Sequence, residues 1–489
     1  MSNYLSQLKS ETNRTYTENG AKTLYSSGSS VLDLFCVIGA LRHAHPLDIL
    51  DRFTRAYAED PLLAVKTLFY ARDIRGGLGE RRTFRTILSR LSDCEPETVR
   101  KNLSQIPELG RWDDLLVLFG TKCESAAIQL IHDQLDKDME NTGKGEPISL
   151  LGKWLPSINA SDPVKRHLAL KLADKLSMRP AEYRKMLSKL RDSIDITENY
   201  LRERAYPFMD YEKQPSKAML KYEKAFLRND GQNYEEYLRK VSKGQAKMNT
   251  GTLMPYDLVR KVMGKQISKE ERKALDVTWN ALPDHCDGRN AIAVIDGSGS
   301  MYNCSNPSPI EVALSLGIYF AEHNTGPFHN HFITFSMDPR LVEIKGADLW
   351  EKVQYCETFN ECANTNIQKV FELILRSALA QKASQAEMPE TIYIISDMEF
   401  DSCTCDAGLT NFEYAKRLFA SHGYQLPGLV FWNVQSRHRQ TPVSMNEKGT
   451  ILVSGAAAGT FSMVMEGDPD PYQYMLKVLN SERYREITV

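Results

Sequence analysis

The sequence predicts two architectures in tandem: an all-α array of packed helix pairs, then a doubly wound α/β domain. Three observations predict them. Residues 26–274 carry apolar positions at helical period, with no strand-like alternation. From Ala291 onward, short apolar strands alternate with amphipathic helices, the order that builds a parallel sheet covered on both faces. The chain, at 489 residues, also exceeds the ~250–300 at which a single core stops growing. The expected layout is a flexible polar segment over 1–25, the helical array over 26–274, a linker over 275–290 containing Pro283 and Gly288, and the α/β domain over 291–489.

The helical half opens with Val31, Leu32, Leu34, Phe35, Val37, Ile38 and Leu41, a broad apolar face. Further helices are predicted at Pro46–Tyr57, Pro61–Arg72, Arg81–Leu91, Pro96–Ser104, Trp112–Phe119, Ser125–Asp136, Pro163–Leu176, Pro180–Arg191, Tyr234–Ser242 and Pro255–Met263. Proline at the first helical position fixes the backbone angle there and sacrifices only a donor that has no partner in any case. Short connections between pairs favour a curved stack, although no clean sequence period accompanies it.

In the second half, strands are predicted at Ala291–Asp296, His331–Ser336, Leu341–Ile344, Thr391–Ser396, Gly428–Trp432 and Ile451–Ser454. Helices near Pro309–His323, Ile367–Lys382, Phe412–His422 and Pro471–Leu479 separate them. The first strand runs into Asp296-Gly297-Ser298-Gly299-Ser300, which offers one carboxylate and two hydroxyls at i, i+2 and i+4. Short oxygen ligands of this kind suit magnesium, which binds at ~2.0–2.1 Å in near-octahedral geometry and retains water. Such a loop is equally a turn or helix cap when it stands alone. Asp397 ends a second apolar run as Asp296 ends the first, and Thr365 stands just ahead of an amphipathic helix, where it also fits an N-cap. Parallel strands that aim acidic side chains at one sheet edge do so where open α/β folds bind ligands.

These residues, in this order, resemble the von Willebrand A domain with its metal-ion-dependent adhesion site. The resemblance implies Asp296, Ser298 and Ser300 as the first ligand group, Thr365 as the second and Asp397 as the third. It implies a bound Mg2+, or another divalent cation such as Mn2+ or Ca2+, whose coordination a partner protein's carboxylate would complete.

The net charge of −2 conceals an uneven distribution. Residues 151–273 hold 27 Lys/Arg against 16 Asp/Glu, whereas residues 284–489 hold 15 against 25. A basic middle beside an acidic metal domain points to a polyanionic partner, or else to lysines that solvate helices and face the acidic domain. No apolar stretch approaches the ~20 residues of a membrane helix, and the amino terminus lacks a signal peptide's apolar core, so a cytoplasmic protein with no membrane partner is expected. Nine irregularly spaced cysteines fit reduced thiols rather than a disulfide framework. Cys304, Cys362, Cys403 and Cys405 fall in or beside the metal loops, but C-x-C is not zinc spacing and they read as isolated thiols.

The loop Arg72-Asp73-Ile74-Arg75-Gly76-Gly77-Leu78-Gly79-Glu80-Arg81-Arg82 combines flexible backbone with guanidinium forks. It lacks the Walker A lysine and a preceding strand, so it reads as a helix corner or an RNA-backbone contact rather than an ATP site. Together with Val31-Leu32-Asp33-Leu34-Phe35, Gly110-Arg111-Trp112-Asp113-Asp114-Leu115-Leu116 and Tyr183-Arg184-Lys185-Met186-Leu187, it looks like the TROVE module. That module is a ring of HEAT-like helical repeats that precedes a von Willebrand A domain in Ro ribonucleoproteins. The whole chain resembles most an uncharacterised TROVE-like family whose metal domain carries I-T-F-S, S-D-M-E-F-D and V-F-W-N segments, here Ile333–Ser336, Ser396–Asp401 and Val430–Asn433.

The Ro resemblance implies binding of RNA, single-stranded ends in the ring and small structured or misfolded elements on a basic face. Candidate contacts are Lys165, Arg166, His167, Lys171, Arg184, Lys185, Lys189, Arg191, Lys217, Lys221, Lys224 and Arg228. Tyr222, Tyr234 and Tyr237 either stack on bases or are buried at helical spacing. No catalytic triad is visible: His422 and His438 lack a nucleophile elbow, and two-metal hydrolysis needs more carboxylates than Asp296 and Asp397. The expectation is an RNA-binding, metal-binding protein that is not an enzyme. The alternatives are a metal-dependent protein scaffold without RNA and a chelatase-like subunit that serves an ATPase.

Overall fold

The computed structural model describes residues 8, 11–194, 196–286, 290–303, 305–359, 366–401, 409–463 and 470–489. The chain forms a helical part and an α/β part, divided into two compact units that do not follow chain order. One comprises Met1–Thr67, Gly76–Leu78 and Leu253–Glu482; the other comprises Leu68–Arg75, Gly79–Thr252 and Arg483–Val489. Composition draws its boundaries at 25, 274 and 290, whereas the packing assigns the first helices and the segment from Leu253 to the α/β unit.

The α/β unit begins with a hairpin, β1 (Arg14–Tyr16) and β2 (Lys22–Leu24), and contains a six-stranded sheet. Its strands are β3 (Ala291–Asp296), β4 (His331–Phe335), β5 (Leu341–Glu343), β6 (Thr391–Ser396), β7 (Gly428–Asn433) and β8 (Thr450–Ser454). Their order is β5-β4-β3-β6-β7-β8, parallel throughout except for β5 at the edge. From β3 the chain moves one way to β4, and from β6 it moves the other way to β7. The crevice between β3 and β6 is therefore the topological switch point. Every residue of β3 is buried, as a strand covered by helices on both faces requires.

The helix Pro309–His323 lies so close to β3 that a Cβ at Gly317 would stand 2.1 Å from Ile295 Cδ1. Glycine costs helix propensity there, and the close approach explains its use. Helices Ile367–Gln381, Asn411–Ser421 and Pro471–Leu479 complete the predicted set. The segment 275–290, read as a linker, starts inside the helix Lys269–Asn280. That helix is held by a Ser268/Glu271 capping box and by Trp279, whose Nε1 donates to Glu322 at 2.6 Å.

Residues 17–24 of the polar first segment are tied down within this unit. Thr17 Oγ1 donates to Phe400 O at 2.5 Å, Asn19 Nδ2 to Glu399 O at 2.6 Å and Thr23 Oγ1 to Thr441 O at 2.8 Å. Leu24 and Thr441 exchange both backbone hydrogen bonds, at 3.1 and 2.9 Å. The Ser, Thr and Asn content that suggests flexibility supplies the donors for docking instead.

The second unit is helical. Its corner at residues 72–75 is organised by Asp73, which accepts from Arg75 N at 3.0 Å and from Tyr484 Oη at 3.0 Å and is paired with Arg483. Nearby, Asp114 is fully buried and receives Arg72 Nε at 2.7 Å, Arg85 Nε at 2.6 Å and Arg111 N at 2.9 Å. Gly110 allows this approach, since a Cβ there would meet Asp114 Oδ2 at 2.6 Å. The arginine-rich loop and the Gly110–Asp114 motif thus form a structural corner, as one of the two sequence readings holds.

Candidate metal centre and basic helical surface

Asp296 and Asp397 lie at the carboxyl ends of the neighbouring strands β3 and β6, 1% and 2% exposed. Asp296 Oδ1 accepts from Ser298 N at 2.9 Å, and Oδ2 accepts from Ser396 Oγ at 2.5 Å. The Ser298 and Ser300 hydroxyl oxygens are 3.1 Å apart. Two adjacent ligands of an octahedral ion with ~2.1 Å bonds would be separated by about 3.0 Å, so the two serines have the spacing of neighbouring ligands.

Burial raises both carboxyls. Asp296 is pushed up to about 7 by loss of water and then by the negative Asp397, against the hydrogen bonds from Ser396 and Ser298. Asp397 is raised by burial, against hydrogen bonding to Ser300 and the charge of Arg437. Arg437 Nη2 reaches Asp397 Oδ2 at 2.8 Å while its Nη1 reaches Glu18 Oε2 at 2.8 Å. Two buried carboxyl groups side by side, only Asp397 of them paired to a guanidinium, leave an excess of negative charge on ionisation that a divalent cation would relieve. Among the described residues the donor set is carboxylate and hydroxyl oxygen, which fits a hard ion of the Mg2+, Mn2+ or Ca2+ class.

The structure brings Asp296, Ser298, Ser300 and Asp397 to one sheet edge, while Thr365 lies outside the described residues. Cys304, Cys362, Cys403 and Cys405 lie outside them too, and Cys36, Cys94, Cys123 and Cys356 are free thiols. Sequence reasoning does not pick out Ser396 and Arg437, which join the site through strand register and the loop after β7. The available signal is that both sit at or just past the carboxyl ends of parallel strands, Ser396 at the end of β6 and Arg437 beyond β7.

In the helical unit the basic candidates divide. Lys165, Arg166 and His167 are exposed on the helix Pro163–Lys175, and Arg184, Lys185 and Lys189 on Pro180–Ser193. Lys171 is half-buried against Glu124 at 3.3 Å. Arg191 is committed internally, its guanidinium donating to Gly152 O at 2.9 Å, Leu155 O at 2.8 Å and Ser157 Oγ at 2.6 Å. Lys217, Lys221, Lys224 and Arg228 are all exposed on the helix Ser216–Asn229. Their 4-3-4 spacing places them on one face, a cationic stripe about 16 Å long at 1.5 Å per residue. Tyr234 and Tyr237 are buried in a ring cluster with Tyr211 and Phe226, so packing rather than base stacking accounts for them; Tyr222 is half-buried beneath Lys221.

Residues 17–127 and 124–286 match the model of a domain of unknown function, DUF2828, and residues 290–483 match a second, DUF7788. Uncharacterized protein L728 of Acanthamoeba polyphaga mimivirus is 31% identical, over 96% of this chain and 87% of the relative. A solved structure, the RO (RSR) protein of Deinococcus radiodurans, is similar over 96% of both chains at 14% identity and a TM-score of 0.32, a likeness too loose to bear on what this chain does. By the extent of its match, the chain belongs to the family defined by the domain of unknown function DUF2828.

Proposed function

We propose that this protein binds RNA through its helical unit and, at the sheet edge of its α/β unit, takes up a divalent cation that recruits a partner's carboxylate. The observation that carries the RNA reading is the exposed stripe of Lys217, Lys221, Lys224 and Arg228 in a segment with eleven more basic than acidic residues. Lysine and arginine along one helix face neutralise successive phosphates and release counterions, which gives affinity without sequence preference. Support for the metal reading comes from the paired buried carboxylates and the 3.1 Å separation of the Ser298 and Ser300 hydroxyls. When bound, the cation would be held by Asp296, Ser298, Ser300 and Asp397, and its open positions would accept an acidic side chain.

The test is fluorescence anisotropy with a labelled RNA hairpin over a series of salt concentrations. Affinity should fall steeply with salt, and replacing all four stripe residues by alanine should reduce the log–log slope by about three, at ~0.7–0.9 per phosphate contact. A flat salt response, or an unchanged slope in the variant, would leave the metal-dependent scaffold without RNA as the better reading.

A further inference from the structure

We propose that Glu18, Glu399 and His438 form a second cation site, separate from the Asp296/Asp397 centre and selective for a borderline ion of the zinc class. One ligand atom from each lies within 4.8 Å of the other two. The three residues come from distant parts of the chain: Glu18 from the turn between β1 and β2, Glu399 from the segment after β6, and His438 from the segment after β7. Their convergence follows from the docked hairpin.

Glu399 is the fixed member. Its side chain is 1% exposed, its Oε1 lies 2.9 Å from His438 Nδ1, and its Oε2 accepts from Glu18 N at 2.7 Å. Its main chain is held as well, Asn19 Nδ2 donating to its carbonyl at 2.6 Å. The carboxylate is therefore oriented before any ion arrives. Glu18 and His438 are the accessible members and provide the entry path, since about half of each side chain is exposed.

Ligand atoms of a tetrahedral ion with ~2.0–2.1 Å bonds lie about 3.4 Å apart, so side-chain movements of about an ångström would close the cluster on an ion. Imidazole with two carboxylates is a donor set that zinc, cobalt or nickel accepts and that magnesium, preferring all-oxygen octahedra, disfavours. Three protein ligands leave one position for water. The charges agree, because Glu18 and Asp397 share the guanidinium of Arg437 while Glu399 pairs with His438, so among the described residues the three carboxylates are met by one arginine and one imidazole. An ion here would clasp the amino-terminal hairpin to the edge of the sheet that carries the first centre.

The test is uptake of Co2+ and of Zn2+ by the full chain, stripped with chelator and then held in millimolar magnesium to occupy the hard-ion centre. One equivalent should bind, with the visible absorption of four-coordinate cobalt. His438→Ala should abolish that band, and Glu18→Gln should weaken uptake ten- to a hundredfold. Asp296→Asn should leave it intact, and zinc should slow proteolytic cleavage within residues 14–24. His438 is surface-exposed, so its loss should not unfold the protein, and far-ultraviolet circular dichroism checks that. The proposal is overturned by absence of uptake, which would reduce the cluster to a His438–Glu399 ion pair. It is equally overturned by uptake that survives His438→Ala, or by uptake lost in Asp296→Asn, which would place zinc at the first centre.

Discussion

Replacing Asp296 by asparagine separates the cost of the sheet-edge charges from their use. Asp296 is buried and raised from its ordinary 3.8 to about 7, a difference of roughly three pH units. At ~1.36 kcal/mol per unit, the ionised form costs the folded protein about 4 kcal/mol at pH 8, an order-of-magnitude figure. The sign follows from proton counting: between pH 4 and 7 the folded state holds a proton that the unfolded chain has lost, so stability without metal falls as pH rises through that window. Asparagine carries no charge and should remove the fall.

In chelator at pH 8 the variant should therefore unfold at higher urea than the wild type, and the difference should vanish near pH 4, where both are neutral. Magnesium at a hundred times its dissociation constant should then stabilise the wild type by about 2.7 kcal/mol and the variant not at all. The assay is urea unfolding followed by tryptophan fluorescence, with and without magnesium, at pH 4, 6 and 8. A variant less stable than the wild type in chelator at pH 8, or one with an undiminished magnesium effect, would refute the assignment of Asp296 as a strained metal ligand.

Other substitutions test other links. Arg437→Gln removes the guanidinium that competes at Asp397, so magnesium affinity measured by calorimetry should rise several-fold; a fall would make Arg437 a supporting element instead. Asp114→Asn leaves Arg72 and Arg85 without their buried partner and should cost about 3–5 kcal/mol in urea unfolding, whereas a loss under 1 kcal/mol would contradict the structural role of that corner. Gly317→Ala forces a methyl group against Ile295 and should cost about 1–3 kcal/mol, read from the same curves.

The parts of the fold legible in the sequence are those with a strong period. β3 is an apolar run that ends in Asp296 and β6 one that Asp397 follows directly, and both are found where expected. Helices that open with proline, such as Pro61–Arg72, Pro309–His323 and Pro471–Leu479, begin at those prolines. The hairpin at 14–24 was not legible, because its strands are three residues each and its stability comes from hydrogen bonds to Phe400 and Thr441, hundreds of positions away.

The same distinction runs through the sites. Asp296, Ser298 and Ser300 announce themselves by spacing, whereas Ser396, Arg437, Glu399 and Glu18 acquire meaning only when β6, the loop after β7 and the hairpin come together. Arg191 resembles its exposed neighbours in sequence and differs because three acceptors of the segment 152–157 surround it, a tertiary fact with no local signature.

Ultraviolet crosslinking of RNA that co-purifies with the protein, followed by mass spectrometry of the crosslinked peptides, tests the RNA-binding proposal most directly. Crosslinks should fall on the exposed faces of Pro163–Lys175, Pro180–Ser193 and, above all, Ser216–Asn229. Absence of bound RNA, or crosslinks confined to the α/β unit, would contradict it.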